Sequence, residues 1–180
     1  MNALEVEMSL RQHLNWRQTR LIPECPVRLL RRVDYWAGRE IPVYHDYYAD
    51  FMGISGSGYA TEFEVKISLT DWRADLKKPK WKLGFPSYIS RFIYVVPFAL
   101  GIPGFVPQES GIWHIRDDTN RRSSIDVVRA PKRIGKEKVP QDVLTRWMSC
   151  FYYRYWQQRI DMELPKFRDI ARYKEFRYDQ

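Results

Sequence analysis

The most restrictive feature of the sequence is a pair of segments joined by a glycine–serine turn. Residues 47–54 (YYADFMGI) are mostly apolar, residues 55–58 (SGSG) are typical of a turn, and residues 59–68 (YATEFEVKIS) alternate apolar and charged side chains. Two strands that flank so short a turn pair as an antiparallel hairpin. The sequence therefore predicts a β-hairpin over residues 47–68, and this hairpin places the candidate chemistry.

The second strand of the hairpin carries its charge on one side. The charged positions are Glu62, Glu64 and Lys66, and the apolar positions between them are Phe63, Val65 and Ile67. Because successive side chains of a strand point to opposite faces, the charged side chains share a face and the apolar ones enter the core. The hairpin then brings Asp50, on the first strand, beside Glu64.

Two carboxylates and an ammonium group at this spacing suit metal-dependent cleavage of a phosphodiester. Asp50 and Glu64 are candidate ligands for Mg²⁺ or Mn²⁺, and the backbone carbonyl of Val65 is a further one. Lys66 is the candidate catalytic lysine, which positions water and stabilises charge on the phosphate. The alternative is an exposed strand face with an ordinary Glu–Lys pair, since E-x-K occurs by chance in many proteins.

The rest of the chain predicts one α/β domain with a mixed central sheet flanked by helices. We expect helices over residues 3–20, 71–78 and 141–158, strands over 92–97, 111–116 and 125–129, and a basic linker over 130–139. Pro23 and Pro26 are expected to end the first helix, and residues 27–48 to form short mixed segments with a loop at 38–42. The core takes about residues 1–130, and a basic, aromatic helical extension takes about 140–180, broken at Pro165.

Charge indicates the partner. The chain has 30 Lys and Arg against 22 Asp and Glu, a formal net charge of +8, which favours DNA or another anionic surface. Solubility alone is the alternative explanation for this surplus. No apolar run approaches the length of a membrane span, and Cys25 and Cys150 have no metal-ligand spacing. We expect a cytoplasmic protein of a bacterial cell or a phage, with DNA as partner, no membrane, and a homodimer allowed.

Several segments resemble one nuclease family. They are AD at residues 49–50, EVKIS at 64–68, DW at 71–72, DLKK at 75–78, KW at 80–81, RFIYVVP at 91–97 and VPQESGI at 106–112. In order and spacing they are similar to the MmcB-type DNA-repair family of the PD-(D/E)XK superfamily, over roughly half the chain. The resemblance implies a restriction-endonuclease-like core, Asp50 and Glu64 as metal ligands and Lys66 as the catalytic lysine.

The resemblance also implies a further carboxylate from the first helix, where Glu7 is preferred over Glu5. The alternative for both is a solvated helix face. Three more side chains are candidates for support of the site: Ser68, Asp71 and Asp75. Ser68 either orients Lys66, contacts a phosphate or caps the next helix. Asp71 and Asp75 share a helix face and either could hold Lys66 or Lys80, with stabilisation of the helix N-terminus as the alternative for Asp71.

A basic cluster follows the hairpin directly. The candidate DNA-binding residues are Lys77, Lys78, Lys80, Trp81, Lys82, Arg146 and Arg154. Trp81 is either a stacking ring or part of the core. The sequence thus predicts a Mg²⁺-dependent DNA nuclease acting in repair, recombination or phage DNA processing. The alternatives are a catalytically inactive DNA-binding protein with the same fold and a structural phage or host-interaction protein.

Overall fold

A six-stranded mixed sheet with helices on both faces forms the protein. The computed structural model describes residues 3–14, 19–116 and 124–163. The strands are β1 (Thr19–Trp36), β2 (Arg39–Ser55), β3 (Ala60–Val65), β4 (Ile89–Pro97), β5 (Gly111–Arg116) and β6 (Ser124–Arg129). The helices are α1 (Ala3–His13), α2 (Leu69–Asp75), α3 (Lys80–Leu83) and α4 (Gln141–Glu163), with a 3-10 turn at Phe98–Leu100. The predicted α/β class and mixed sheet are confirmed.

The strands lie in the sheet in chain order. β1, β2 and β3 pair antiparallel, β3, β4 and β5 pair parallel, and β6 pairs antiparallel with β5. A parallel pair needs a crossover, and α2 and α3 supply the one between β3 and β4. The C-terminal ends of the three parallel strands therefore share one edge of the sheet.

The first two strands correct the predicted start of the chain. The first helix ends at His13, and Pro23 and Pro26 lie inside β1 rather than terminating a helix. Proline is tolerated there because β1 is an edge strand, so a missing N–H group costs no ladder hydrogen bond on the open side. Residues 27–48 form the end of one long hairpin, whose turn at Ala37 and Gly38 has positive φ angles of 50° and 72°.

The core lies on both faces of the sheet. On one face, Val6 and Leu10 of α1 pack against the strands with Phe51, Phe63 and Val95. On the other face, α2 and α4 cover the sheet through Trp72 and Trp147, both fully buried. Because the residues alternate along β3, Glu62 and Glu64 share this second face, as the sequence predicted. This face is covered too, so both are buried, and Ile67, predicted to enter the core, is 64% exposed because β3 ends at Val65.

Helix α4 starts at Gln141 as predicted and runs five residues further than residue 158. The Trp147 indole Nε1 donates to the Pro26 carbonyl at 2.7 Å, which fixes the helix against β1. Residues 164–180, including the expected break at Pro165, lie outside the described residues. No helix in the described ranges is long and apolar enough to cross a membrane.

Candidate active site

The candidate site begins where β2 and β3 stop pairing. Phe51 pairs with Phe63, so Asp50 and Glu64, one residue further along each strand, are cross-strand neighbours. Asp50 Oδ2 accepts a hydrogen bond of 2.7 Å from the Val65 backbone N–H, which fixes its carboxyl group at the end of β3. The negative charge of Glu64 acts on the Asp50 carboxyl group across the strand pair. The hairpin thus places the two predicted ligands side by side.

These two carboxyl groups differ in their affinity for protons. Burial, and then the negative charge of Glu64, raise the pKa of Asp50 to about 7. Burial would also raise the pKa of Glu64, but the positive charges around it, Lys80 first, hold that pKa below its usual value. Asp50 therefore exchanges its proton near neutral pH, whereas Glu64 is held in its ionised form by the lysines.

Three lysines surround the Glu64 carboxylate. Lys66 Nζ lies 2.9 Å from Oε2, while Lys78 and Lys80 Nζ lie 2.8 and 2.7 Å from Oε1. The Glu64 side chain is fully buried, and an isolated carboxylate there would be costly. The three ammonium groups offset that cost, so Glu64 stays charged at the edge of the sheet.

Lys80 is a structural member of the cluster, and its prediction as a DNA contact is wrong. Its side chain is 0% exposed, and its ammonium group also contacts Glu62 at 2.9 Å. The ring centroids of Phe92 and Tyr47 lie 4.5 and 5.2 Å from Nζ. Burial opposes its charge, but the carboxylates of Glu62 and Glu64 raise the pKa of Lys80. No phosphate can reach a lysine enclosed in this way.

Asp75 connects the lysines to the core, as the sequence predicted for Lys66 and Lys80. Its Oδ1 lies 2.8 Å from Lys78 Nζ, 3.5 Å from Lys80 and 3.7 Å from Lys66. Its Oδ2 accepts hydrogen bonds from the Tyr94 hydroxyl at 2.7 Å and from Trp81 at 3.2 Å. Although burial acts against it, the charge of Lys80 and the hydrogen bonds from Lys78 and Tyr94 lower the pKa of Asp75 to about 2.

Trp81 belongs to the core and does not offer a stacking face. Its ring packs edge-to-face against Phe85 and Phe92, with centroids 5.3 and 5.1 Å apart, and its Nε1 donates to Asp75. A ring held on its edges and at its nitrogen cannot turn outward to a base. The core alternative for Trp81 is therefore the one that the structure shows.

Ser68 and Asp71 shape the start of α2. The Ser68 hydroxyl accepts the Asp71 backbone N–H at 3.1 Å, which confirms the capping alternative for the serine. Asp71 Oδ1 lies 4.0 Å from Lys66 Nζ, at the limit of an ion pair, and its side chain is half-exposed. Both residues therefore hold the helix and the edge of the cluster in place.

Glu7 does not join the two carboxylates. It forms an ion pair of 2.6 Å with Arg11 on α1, which packs on the opposite face of the sheet from Glu64. In the ranges that the structure describes, no group of three histidine, cysteine or acidic side chains could hold a metal ion. Glu5 is on the same helix and on the same side of the sheet as Glu7. The prediction that Glu7 or Glu5 of the first helix joins Asp50 and Glu64 is therefore wrong.

The predicted DNA contacts separate into two groups. Arg154 lies 3.0 Å from Glu24 and donates to the carbonyls of Pro23 and Glu24, which ties α4 to β1. Arg146 is partly buried on the same helix. Lys77 and Lys82, by contrast, are exposed beside the cluster, and Lys78 is 34% exposed. These last three lysines present charge to solvent beside the cluster.

Several members of the cluster were not given roles by the sequence. Tyr47 donates to Glu62 at 2.6 Å inside the core, and the Tyr94 hydroxyl holds Asp75. Alternation along β3 did place Glu62 on the face of Glu64, and this is the signal that was available. Nothing in the sequence indicates that a lysine from a four-residue helix would turn inward to meet it.

Comparison with known proteins bears on the fold alone. A protein of unknown function from Silicibacter pomeroyi superposes with a TM-score of 0.56 at 18% sequence identity. The match covers 95% of this chain and 97% of that chain, so the two share an α/β fold over nearly their whole length. No family model matches the chain, and no curated protein matches it.

Proposed function

We propose that the protein is a metal-dependent nuclease that hydrolyses phosphodiester bonds of DNA on a restriction-endonuclease-like core. One observation carries this proposal. Asp50 and Glu64 are cross-strand neighbours that place two partly or fully buried carboxyl groups side by side at the open end of β3, with the Lys66 ammonium group 2.9 Å from Glu64. Acidic groups do not meet in this way in a core unless a proton or a cation lies between them.

The donor set fits a hard cation with few protein ligands. Mg²⁺ is commonly held by one or two carboxylates, with water and substrate phosphate oxygens completing its shell. Asp50 and Glu64 would supply those carboxylates. The Val65 carbonyl would be a further ligand, because Val65 follows Glu64 in sequence and its N–H group is hydrogen-bonded to Asp50. When bound there, Mg²⁺ or Mn²⁺ supplies Lewis-acid chemistry and a more acidic water. A site with two carboxylates needs no third acidic residue, which is consistent with Glu7 lying elsewhere.

The lysines of the cluster have separate tasks. Lys80 is enclosed and orients Glu64 and Glu62. Lys78, 34% exposed, lies at the rim of the cluster, and Lys66, with 5% of its side chain exposed, lies just inside it. Their ammonium groups would stabilise the negative charge that develops on a phosphate during hydrolysis. Asp75, paired with both, keeps them apart and pointing to the same edge.

A second candidate is a DNA-binding protein that keeps this cluster without turnover. The observation in its favour is that Glu62, Glu64 and Asp75 are already matched by Lys66, Lys78 and Lys80. A buried network that is neutralised internally holds a fold together without any metal. DNA remains the partner in both proposals, because the net charge is +8 and exposed lysines lie beside the cluster.

A cleavage assay tests the proposal. Circular single-stranded and double-stranded DNA are incubated with the protein in Mg²⁺, in Mn²⁺ and in EDTA, with Glu64→Gln and Lys66→Met as test variants. Glu109→Gln, which changes an exposed carboxylate on a loop, is the matched control. We expect metal-dependent cleavage by the wild type and the control, and none by Glu64→Gln. Binding of DNA without cleavage in either metal would favour the second candidate.

A further inference from the structure

A two-stranded ribbon extends from the sheet beside the candidate site. β2 pairs with β3 only through residues 51–54, whereas it pairs with β1 down to Arg39. Residues 28–46, which we call the β-arm, therefore lie beyond the last residue of β3. Because β3, β4 and β5 end at that same edge, the β-arm rises from the edge at which Asp50 and Glu64 meet.

The β-arm is long enough to reach along a nucleic acid over most of a turn. The eight residues of β2 that belong to it, from Arg39 to Asp46, span roughly 25 Å at the rise of an antiparallel strand. One turn of B-form DNA measures about 35 Å. A two-stranded ribbon is one of the two shapes that the major groove of DNA admits.

The tip of the β-arm exposes large rings that have no core to enter. Tyr35 and Trp36 are each 73% exposed, although they are among the largest apolar side chains of the chain. They are consecutive residues of a strand, so they point to opposite faces of the ribbon. An exposed ring on each face at the tip is suited to contact with bases or sugars on both sides.

Charge on the β-arm favours an anionic partner. Two of its three acidic side chains are paired with arginines, in the contacts Arg28–Asp46 and Arg32–Asp34. Arg31 lies at a register shift of β1 and Arg39 lies opposite Trp36 at the tip. Neither forms an ion pair with any residue in the described ranges, and both are exposed. The unpaired charge of the ribbon is thus mainly positive and lies next to its rings.

We infer that the β-arm inserts into a groove of duplex DNA and holds the duplex across the candidate site. This inference rests on the proposed function in taking DNA as the partner. Trp36 and Tyr35 would contact the groove walls, and Arg39 and Arg31 would contact phosphates. Lys77, exposed in the turn after α2, and Lys82, exposed on α3, would hold the duplex from the other side.

Binding is measured by fluorescence anisotropy with a labelled duplex of about two helical turns, in EDTA so that no cleavage is needed. Trp36→Ala and Arg39→Ala are the test variants. Trp156→Ala, which removes an equally large exposed ring from α4, is the matched control. We expect Trp36→Ala to weaken binding about tenfold with an unchanged salt dependence. We expect Arg39→Ala to weaken it and to reduce the slope of log affinity against log salt by about one.

Two results would overturn the inference. One is duplex affinity within about twofold of wild type for both β-arm variants. The other is a change from dimer to monomer in sedimentation caused by Trp36→Ala, with DNA affinity unaffected, which would make the β-arm a contact between copies of this chain. Failure of the proposed function gives a different pattern. In that case neither the wild type nor any variant cleaves DNA in Mg²⁺ or Mn²⁺, while the β-arm variants still bind the duplex more weakly than the wild type.

Discussion

The cluster around Glu64 and the β-arm use charge in opposite ways. In the cluster, lysines and carboxylates lie within 3 Å of one another and are nearly closed to solvent. In the β-arm, arginines and aromatic rings are open to solvent, and two of the arginines have no ion pair among the described residues. The difference shows which charges hold the fold and which are available to a partner.

The cluster and the β-arm are neighbours in the fold. Both lie at the edge of the sheet where the parallel strands end: the cluster is at the strand ends, and the β-arm extends beyond them. The charged groups of the cluster hold one another in place, so their geometry is set before any ligand binds. Such preorganisation is what a catalytic site requires. The unpaired arginines of the β-arm are not held in that way, and binding to a long anionic ligand can order their side chains.

Removing Lys80, the lysine at the centre of the cluster, has the largest expected effect. Lys80→Met leaves Glu62, Glu64 and Asp75 buried with too little positive charge, and we expect the free energy of unfolding to fall by about 3–5 kcal/mol. Urea denaturation measures this change. Lys82→Met, two residues away and exposed, should change stability by less than about 0.5 kcal/mol. Equal effects for the two variants would contradict the placement of Lys80.

Removing Lys66 should affect the chemistry more than the fold. Lys66→Met leaves Glu64 paired with Lys78 and Lys80, and we expect the rate of DNA cleavage at saturating substrate to fall by about 10²–10³-fold. Single-turnover cleavage in Mg²⁺ measures it, with a thermal unfolding curve on the same sample. Lys77→Met is the comparison, because this exposed lysine should change duplex affinity and its salt dependence instead. A similar loss of rate in both variants would argue against a catalytic Lys66.

The raised pKa of Asp50 predicts a pH effect on stability in EDTA. Folded Asp50 keeps its proton up to about pH 7, while an unfolded aspartate releases it near pH 4. The stability due to this proton is therefore complete below about pH 4 and is lost as pH rises to 7. We expect a decline on the order of 4 kcal/mol across this window that is absent in Asp50→Asn. Asp46→Asn, an exposed aspartate on β2, should retain the decline, and a decline in Asp50→Asn as well would contradict the assignment.

The smallest expected effect is on the free energy of unfolding when a ring is removed from the β-arm. Trp36→Ala should change the free energy of unfolding by less than about 0.5 kcal/mol, because the ring leaves almost no buried surface behind. Urea denaturation next to the wild type measures this. A loss of more than about 1 kcal/mol would show that Trp36 packs within the folded protein, and the contrast between the two regions would fail at this point.

The sequence was most informative where a local pattern decides the structure. The turn at residues 55–58 joins two strands as predicted, and alternation placed Glu62 and Glu64 together, away from Phe63 and Val65. Both are properties of a strand that no distant contact overrides. The predicted contact between Asp50 and Glu64 follows directly from that register.

The sequence was least informative where distant contacts decide. Pro23 and Pro26 predicted the end of a helix, because proline interrupts helices. Proline is tolerated in a strand at the edge of a sheet, and the local sequence does not indicate that β1 is an edge strand. The run of lysines from residue 77 to 82 was interpreted as one basic surface. Tertiary pairing divides it, since Lys80 meets carboxylates from β3 and α2 while Lys77 and Lys82 stay in solvent.

The central claim is that the contact between Asp50 and Glu64 is a cation-dependent cleaving centre. The rate of DNA cleavage as a function of Mn²⁺ concentration, for the wild type and Asp50→Asn, tests it most directly. We expect saturable Mn²⁺ dependence in the wild type, and a half-saturating Mn²⁺ concentration at least about tenfold higher in Asp50→Asn, in line with the loss of one of two carboxylate ligands. Identical Mn²⁺ curves for the two proteins, cleavage that persists in EDTA, or no cleavage at any Mn²⁺ concentration would contradict it.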